Sequence, residues 1–400
     1  MQMDVTYSLT RLRYVSCDRL YGWRSKPQIR LFWRSYCARA FLVLFLTILP
    51  HHCPAAALVG VNVVNPDRLP AAARTEIISR LAAAEIRLIR VPLINPASID
   101  FIVAAYKAGI NTLAILYLPP KQGAKNYVAD PAFPQVYSGF ALSETDPLAF
   151  QLSFENKIRK LEEARVKLAG IEVGNEINWS AFNRDFPVPG KGRVLGYNDL
   201  TESTEGRLIA SGYLNYLEAL KAAQRARGHL LINRRTPIIS AGLSDPGQPG
   251  FRRGQQLDAV SLSATLRYLR EHGLDDLVDG YGVHTYPKSV LGITISERVA
   301  NLQAGAFSEC NLDSKPCWLT EWGLTNNDGH CPIDDKSRSA AARDMMAAFS
   351  PFVRTGRLEA AIYFSWSGEP FSREGGDNLF RCGELTNTGR VVTTPFSGGD

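Results

Sequence analysis

The sequence contains no C-x-x-C pair, no Walker-type phosphate loop and no G-x-S-x-G elbow. Their absence removes the usual sequence marks of thiol redox chemistry, zinc ribbons, nucleotide triphosphate binding and elbow-type serine hydrolases. No group of His, Asp and Glu has metal-ligand spacing, so neither a metal nor another cofactor is expected. No internal repeat and no low-complexity linker divides the chain. Long apolar runs are missing too. The run 41–50, FLVLFLTILP, is about half the roughly 20 residues that cross a bilayer as a helix.

An excess of one charge sign is also missing from most of the chain. The net charge of +6 sits entirely in residues 1–57, which hold eight basic and two acidic residues. The remaining 37 basic and 37 acidic residues balance, so the folded body has no nucleic-acid footprint. The N-terminal excess has another reading. Arg34 and Arg39 precede the apolar run and Ala55, Ala56 and Ala57 follow it, the order of a secretory signal. A signal-anchor retained in the membrane is the alternative. Residues 1–57 are therefore expected to be an extension and signal, and 58–400 a single domain. The mature protein is expected to be secreted or periplasmic, free of membrane, and monomeric. Four cysteines lie beyond residue 57, an even number that suits disulfides in an oxidising compartment.

What the chain does have is a regular alternation. Apolar, β-rich runs at 58–64, 86–93, 112–118, 170–175, 237–243, 280–286, 317–322 and 360–366 are interleaved with helical patterns. Those patterns include 96–108, 150–168, 211–227, 259–271 and 337–352. Strand followed by helix, repeated, implies parallel strands with right-handed crossovers. Eight such units fit a (β/α)8 TIM barrel. The alternative, a doubly wound open sheet, normally places a glycine-rich turn after its first strand, and Val63-Val64-Asn65-Pro66 is not one. The long connections, 119–147, 177–210 and 367–385, all leave the C-terminal ends of strands. That is the face on which TIM barrels build their sites.

Two carboxylates stand at strand ends on that face. Ile171-Glu172-Val173-Gly174-Asn175-Glu176 ends the fourth strand and Trp318-Leu319-Thr320-Glu321-Trp322 ends the seventh. Period-two alternation turns Glu172, Gly174 and Glu176 to the interior, Glu172 as a paired structural group. Cleaving a glycosidic bond needs two such groups, one to protonate the leaving oxygen and one to attack or stabilise the oxocarbenium-like carbon.

This pattern resembles the clan of retaining (β/α)8 glycoside hydrolases that includes cellulase-like, endo-galactanase-like, mannanase-like and β-xylosidase-like families. The resemblance covers 58 to about 385. It implies Glu176 as acid/base and Glu321 as nucleophile. It also implies Arg90 near the nucleophile, Asn175 on the sugar 2-hydroxyl, His284 and Tyr286 at the sixth strand, and Trp366 as the floor under the reacting sugar. The expected partner is an oligo- or polysaccharide with a β linkage. Ile177 stands where many clan members have proline, so the family within the clan, and the sugar, stay open. An inactive carbohydrate-binding barrel and a transglycosidase remain alternatives. Trp179 and Trp322 fit either sugar stacking or packing.

Barrel topology also sorts the cysteines. Cys310 and Cys317 fall in the turn entering the seventh strand, Cys331 and Cys382 in loops leaving the seventh and eighth. The two faces are about 17–20 Å apart, whereas a disulfide needs Cα atoms within about 7 Å. Cys310–Cys317 with Cys331–Cys382 is the pairing that keeps each bridge on one face.

Overall fold

Alternation along the strands sorts the core into two layers. Leu88, Leu113, Ile239, Trp318, Ala360 and Ile362 form one buried cluster inside a ring of strands. Their neighbours Ile89, Val91, Ala114, Ile171, Leu319 and Ala361 point the other way and join the larger cluster under the helices. Space for Trp318 inside the ring comes from Gly280, where a Cβ would lie 2.7 Å from the indole Cδ1. The computed structural model describes residues 57–246, 256–286, 295–310, 315–326, 330–367 and 376–396. The signal and extension expected over 1–57 lie, but for Ala57, outside the described residues.

The ring comprises β1 (Leu58–Asn62), β2 (Leu88–Pro92), β3 (Asn111–Leu116), β4 (Gly170–Val173), β5 in two pieces (Ile238–Ile239 and Leu243–Ser244), β6 (Tyr281–Thr285), β7 (Cys317–Trp322) and β8 (Leu358–Tyr363). Every neighbouring pair is parallel, and β8 lies beside β1. Closure occurs at β5. Its first piece pairs with β4 and its second with β6. Bridges from Asn175 to Gly242 and from Ile239 to Gly280 continue the two ladders. The gap is stitched by side chains: the Tyr216 hydroxyl donates to Val173 O at 3.0 Å and accepts from Ala241 N at 2.7 Å. The sheet is thus a closed (β/α)8 barrel and not an open doubly wound one.

A helix follows each strand: α1 (Ala71–Ala83), α2 (Pro96–Lys107), α3 (Pro147–Glu163), α4 (Thr204–Gly228), α5 (Leu262–Glu271), α6 (Ile295–Ala304), α7 (Lys336–Arg354) and α8 (Asn387–Val392). Their starts follow local chemistry. Asn95 caps α2 through Ser98 N with Pro96 in the first turn, and Asp146 caps α3 ahead of Pro147. None of the described helices is long and apolar enough to cross a membrane. Beyond shifts of a few residues and an earlier start of α4 at Thr204, three boundaries differ from the sequence expectation. The fifth strand is interrupted, because residues 240–242 exchange one neighbour for the other. Residues Ala259–Val260 pair with Val194–Leu195 instead of opening α5, whose cap is Ser261. The eighth strand ends at Tyr363, three residues before its expected end.

The cysteines pair as Cys310–Cys317 and Cys331–Cys382, with Cα separations of 5.5 and 5.8 Å. The first bridge sits where the chain enters β7, and the second joins the loops after β7 and β8.

Candidate active site

Strict alternation along β7 would put Glu321 on the helix side with Cys317 and Leu319. A bulge prevents this. Against β6, Leu319 is level with Val283 while Glu321 is level with His284, so one extra residue is accommodated at Thr320. Bulges re-aim side chains in this way. Thr320 and Glu321 both reach inward, and Trp322 returns to the helix layer. There it is fully buried, edge-on to Phe349 and Tyr363. On β4 the redirection comes from the backbone. Gly174 and Glu176 both have left-handed backbone, with φ of 84° and 45°. Glu176 N donates to Gly242 O at 2.9 Å, fixing the turn to β5.

Arg90, on β2, is the hub. Its Nε donates to Glu172 at 2.5 Å, its Nη1 to Asn62 at 2.9 Å and to Glu321 Oε1 at 2.6 Å, and its Nη2 to Asn175 Oδ1 at 2.8 Å. Burial works against the guanidinium charge, but Glu172 and Glu321 outweigh it and raise the pKa. Glu172 is fully buried and also accepts from the Thr320 hydroxyl at 2.9 Å. It is an anchor for Arg90.

Glu321 is under opposed influences. Burial would push its carboxyl up, but His284, Arg90 and the Tyr286 hydroxyl together hold it below the usual range. The hydroxyl donates to Oε2 at 2.5 Å. Tyr286 is 41% exposed as a residue while its hydroxyl end is enclosed. That enclosure, with the Glu321 charge, raises the phenol well above its ordinary value.

His284 links the two strand-end carboxylates. Its Nδ1 is 2.9 Å from Glu176 Oε1 and 3.6 Å from Glu321 Oε2, and its Nε2 is 3.1 Å from Thr320 Oγ1. Thr320 gives its only hydroxyl proton to Glu172, so it accepts from His284 Nε2–H. Space for the ring depends on Gly242, because a Cβ there would collide with Nε2. Glu176, His284 and Glu321 each bring a potential ligand atom within 4.8 Å of the others. A cation would have to compete there with Arg90 and Tyr286, which already occupy both oxygens of Glu321.

These groups open into a cleft of about 1380 Å³ at the C-terminal ends of the strands. Tyr137, Phe182 and Trp179 form an aromatic wall on it, with Tyr137 stacked on Phe182 at 4.7 Å. Tyr117 and Phe364 line it as well.

No protein-family model matches the chain, and no characterised protein matches it in sequence. Solved structures match in shape. A broad-specificity endoglucanase from Clostridium acetobutylicum aligns over 84% of this chain and 96% of its own, at 11% identity and a TM-score of 0.52. A Faecalibacterium prausnitzii β-glucuronidase aligns over 84% of this chain and 48% of its own, at 10% identity and a TM-score of 0.51. A fungal β-1,4-galactanase aligns over 84% and 93%, at 16% identity and a TM-score of 0.48. The likeness is one of fold. The (β/α)8 barrel is thereby seen from outside the chain as well as from its own ladders.

Within the barrel, Arg90, Asn175, Glu176, His284, Tyr286 and Glu321 meet in one network. Trp366 does not join it, which corrects the expected sugar floor. The residue is 1% exposed, its ring is stacked on Phe380 at 5.2 Å, and its backbone N donates to Asn62 O. Because β8 ends early, Phe364 is the residue that meets the cleft, edge-on to Tyr286 at 6.1 Å. Sequence reasoning missed Thr320, Asn62, Tyr117 and Tyr137. Tyr117 follows β3 and Asn62 ends β1, so their strand-end positions carried a signal. Tyr137 lies within a long loop, where nothing local marks it.

Proposed function

We propose that the protein is a retaining glycosidase, hydrolysing β-linked oligo- or polysaccharides by double displacement. The observation that carries this reading is the distance between carboxylates. One oxygen of Glu176 comes within 4.8 Å of one oxygen of Glu321, with the His284 ring against both carboxylates, a closeness that supports the shorter of the two known spacings. Retaining pairs stand about 5–5.5 Å apart, while inverting pairs leave about 6.5–9.5 Å for a water.

Glu321 is the nucleophile. It is held ionised by Arg90 and Tyr286, attacks the anomeric carbon and forms a glycosyl ester. Glu176 gives its proton to the departing oxygen as that bond breaks. It then takes a proton from water, whose oxygen displaces Glu321 and restores the starting enzyme. His284 stands by the Glu176 proton throughout. Asn175 has its carbonyl oxygen engaged by Arg90, which turns the amide nitrogen toward a sugar hydroxyl. The reading includes export, with a mature monomer beginning near Leu58.

The test combines two variants with product stereochemistry. Glu321→Ala is expected to abolish turnover. Glu176→Ala is expected to lose about 10²- to 10⁴-fold on the natural glycan, and much less on substrates with good leaving groups. NMR of the first-formed product should show the substrate's own anomer. An inverted anomer, or wild-type rates in both variants, would overturn the assignment. Transfer to an added acceptor sugar in preference to water would make the protein a transglycosidase.

A further inference from the structure

Among the described residues, five charged side chains line the cleft: Arg68, Arg90, Glu176, Asp245 and Glu321. Arg90 is bound to Glu321, Glu176 is bound to His284, and Asp245 also has a partner. Arg68 differs. It closes the 3-10 turn Pro66–Arg68 after β1, is exposed, and its guanidinium makes no hydrogen bond or ion pair with a described residue. Its neighbour Asp67 does not neutralise it by pairing. Asp67 Oδ2 accepts from Asn95 at 2.9 Å and its Oδ1 is buried.

Arg68 also opens into the cleft that holds the chemistry. Tyr117 lines the same cleft. Burial raises its phenol to about 12, and the charges of Arg90, Glu321 and Arg68 all act on it. The unpaired guanidinium thus lines the same cleft as the hub that holds the nucleophile. A guanidinium is weakly hydrated, always charged and shaped to grip a planar anion with two parallel hydrogen bonds. Sugar hydroxyls do not need that grip, whereas carboxylates and sulfates do.

Building on the glycosidase reading, we propose that Arg68, lining the cleft with Tyr117, binds an anionic substituent on a substrate sugar. The substrate class is then an acidic β-linked glycan carrying uronic acid carboxylates or sulfate esters. The site selects it over a neutral chain of the same linkage.

The test uses the mature protein and three β-linked oligosaccharides of one backbone: a uronate, its carboxyl-reduced twin and a sulfated form. Hydrolysis gives kcat/KM, and calorimetry gives binding independently of turnover. An anionic oligosaccharide is expected to exceed its neutral twin about tenfold at low salt, with the advantage shrinking as salt rises. The preferred anion, uronate or sulfate, identifies the source. Arg68→Gln should bring the acidic-to-neutral ratio close to one, and Arg68→Lys should keep part of it. Both variants should melt like the wild type, since the side chain is exposed. Equal rates and equal binding for acidic and neutral chains would overturn the assignment of Arg68, as would a preference that survives Arg68→Gln. Preferential binding of the anion without turnover of any chain would leave Arg68 standing and overturn the glycosidase reading.

Discussion

At Glu321, two hydrogen bonds and a nearby imidazole overcome burial, and the balance is open to measurement. Tyr286 donates to Oε2 and so favours the ionised form. Tyr286→Phe removes that donor while keeping the ring against Phe364. The acid limb of kcat/KM should then move to higher pH, because the depressed carboxyl rises toward its ordinary value. A limb unmoved by the change would show that the hydroxyl does not set the ionisation. The stability linkage has the same origin. A depressed carboxyl contributes stability above its unfolded pKa and loses it as pH falls through its folded one. At this scale the sequence was readable where a residue ends a strand. Glu176 follows from strand position, while Arg90, Asn175, His284 and Tyr286 follow from the clan resemblance. Glu321 is level with them only through the bulge at Thr320, which alternation does not reveal. Trp366 was misplaced because β8 stops at Tyr363, and aromatic residues continue past the stop without a break in pattern.

The loops after β3 and β4 form a clamp that holds the aromatic wall. Arg184 donates to three backbone oxygens, those of Ser180, Ala181 and Tyr137. Asp185 accepts from the Ser143 hydroxyl at 2.6 Å and from Ser143 N at 3.1 Å. Burial pushes the Asp185 carboxyl up to about 6, against its Ser143 bonds. A raised acid binds more protons folded than unfolded, so its stabilising effect is greatest at low pH. That effect is lost as pH rises from about 4 through about 6. Asp185→Asn should therefore gain on the wild type by about 2–3 kcal/mol between pH 4 and pH 7, read as the pH dependence of the difference in unfolding free energy. A constant difference would mean that Asp185 titrates normally. The disulfides divide in a similar way. Cys331–Cys382 closes 51 residues and Cys310–Cys317 closes 7. Chain entropy makes the longer bridge worth about 4 kcal/mol and the shorter about 2. Replacing the longer pair with serine should lower both melting temperature and kcat, since it joins the loops beside Glu321. Replacing the shorter pair should lower melting temperature alone. Loop lengths had marked this face as the working one, but the clamp itself rests on side-chain to backbone bonds between distant segments, which no local pattern announces.

Across the whole molecule the fold was legible because the barrel needs only a repeated strand and helix. The way it closes was not. Residues 237–243 read as one more apolar strand, yet β5 gives each neighbour only two residues of regular ladder. The rest of that seam is held by Tyr216, Ser240 and single bridges. A sparse ladder opens at lower free energy than a continuous one. Amides of 238–244 are expected to exchange faster than those of β2, β3 or β7 in hydrogen–deuterium exchange, and uniform protection around the ring would contradict this. The position of the seam matters for catalysis. Glu176 is tied to it through Gly242 O, and Gly242 makes room for His284. As the protein is warmed, the seam should breathe before the ring comes apart, and the acid/base should lose its aim first. Heat inactivation would then precede melting, leaving a folded barrel that has gone silent.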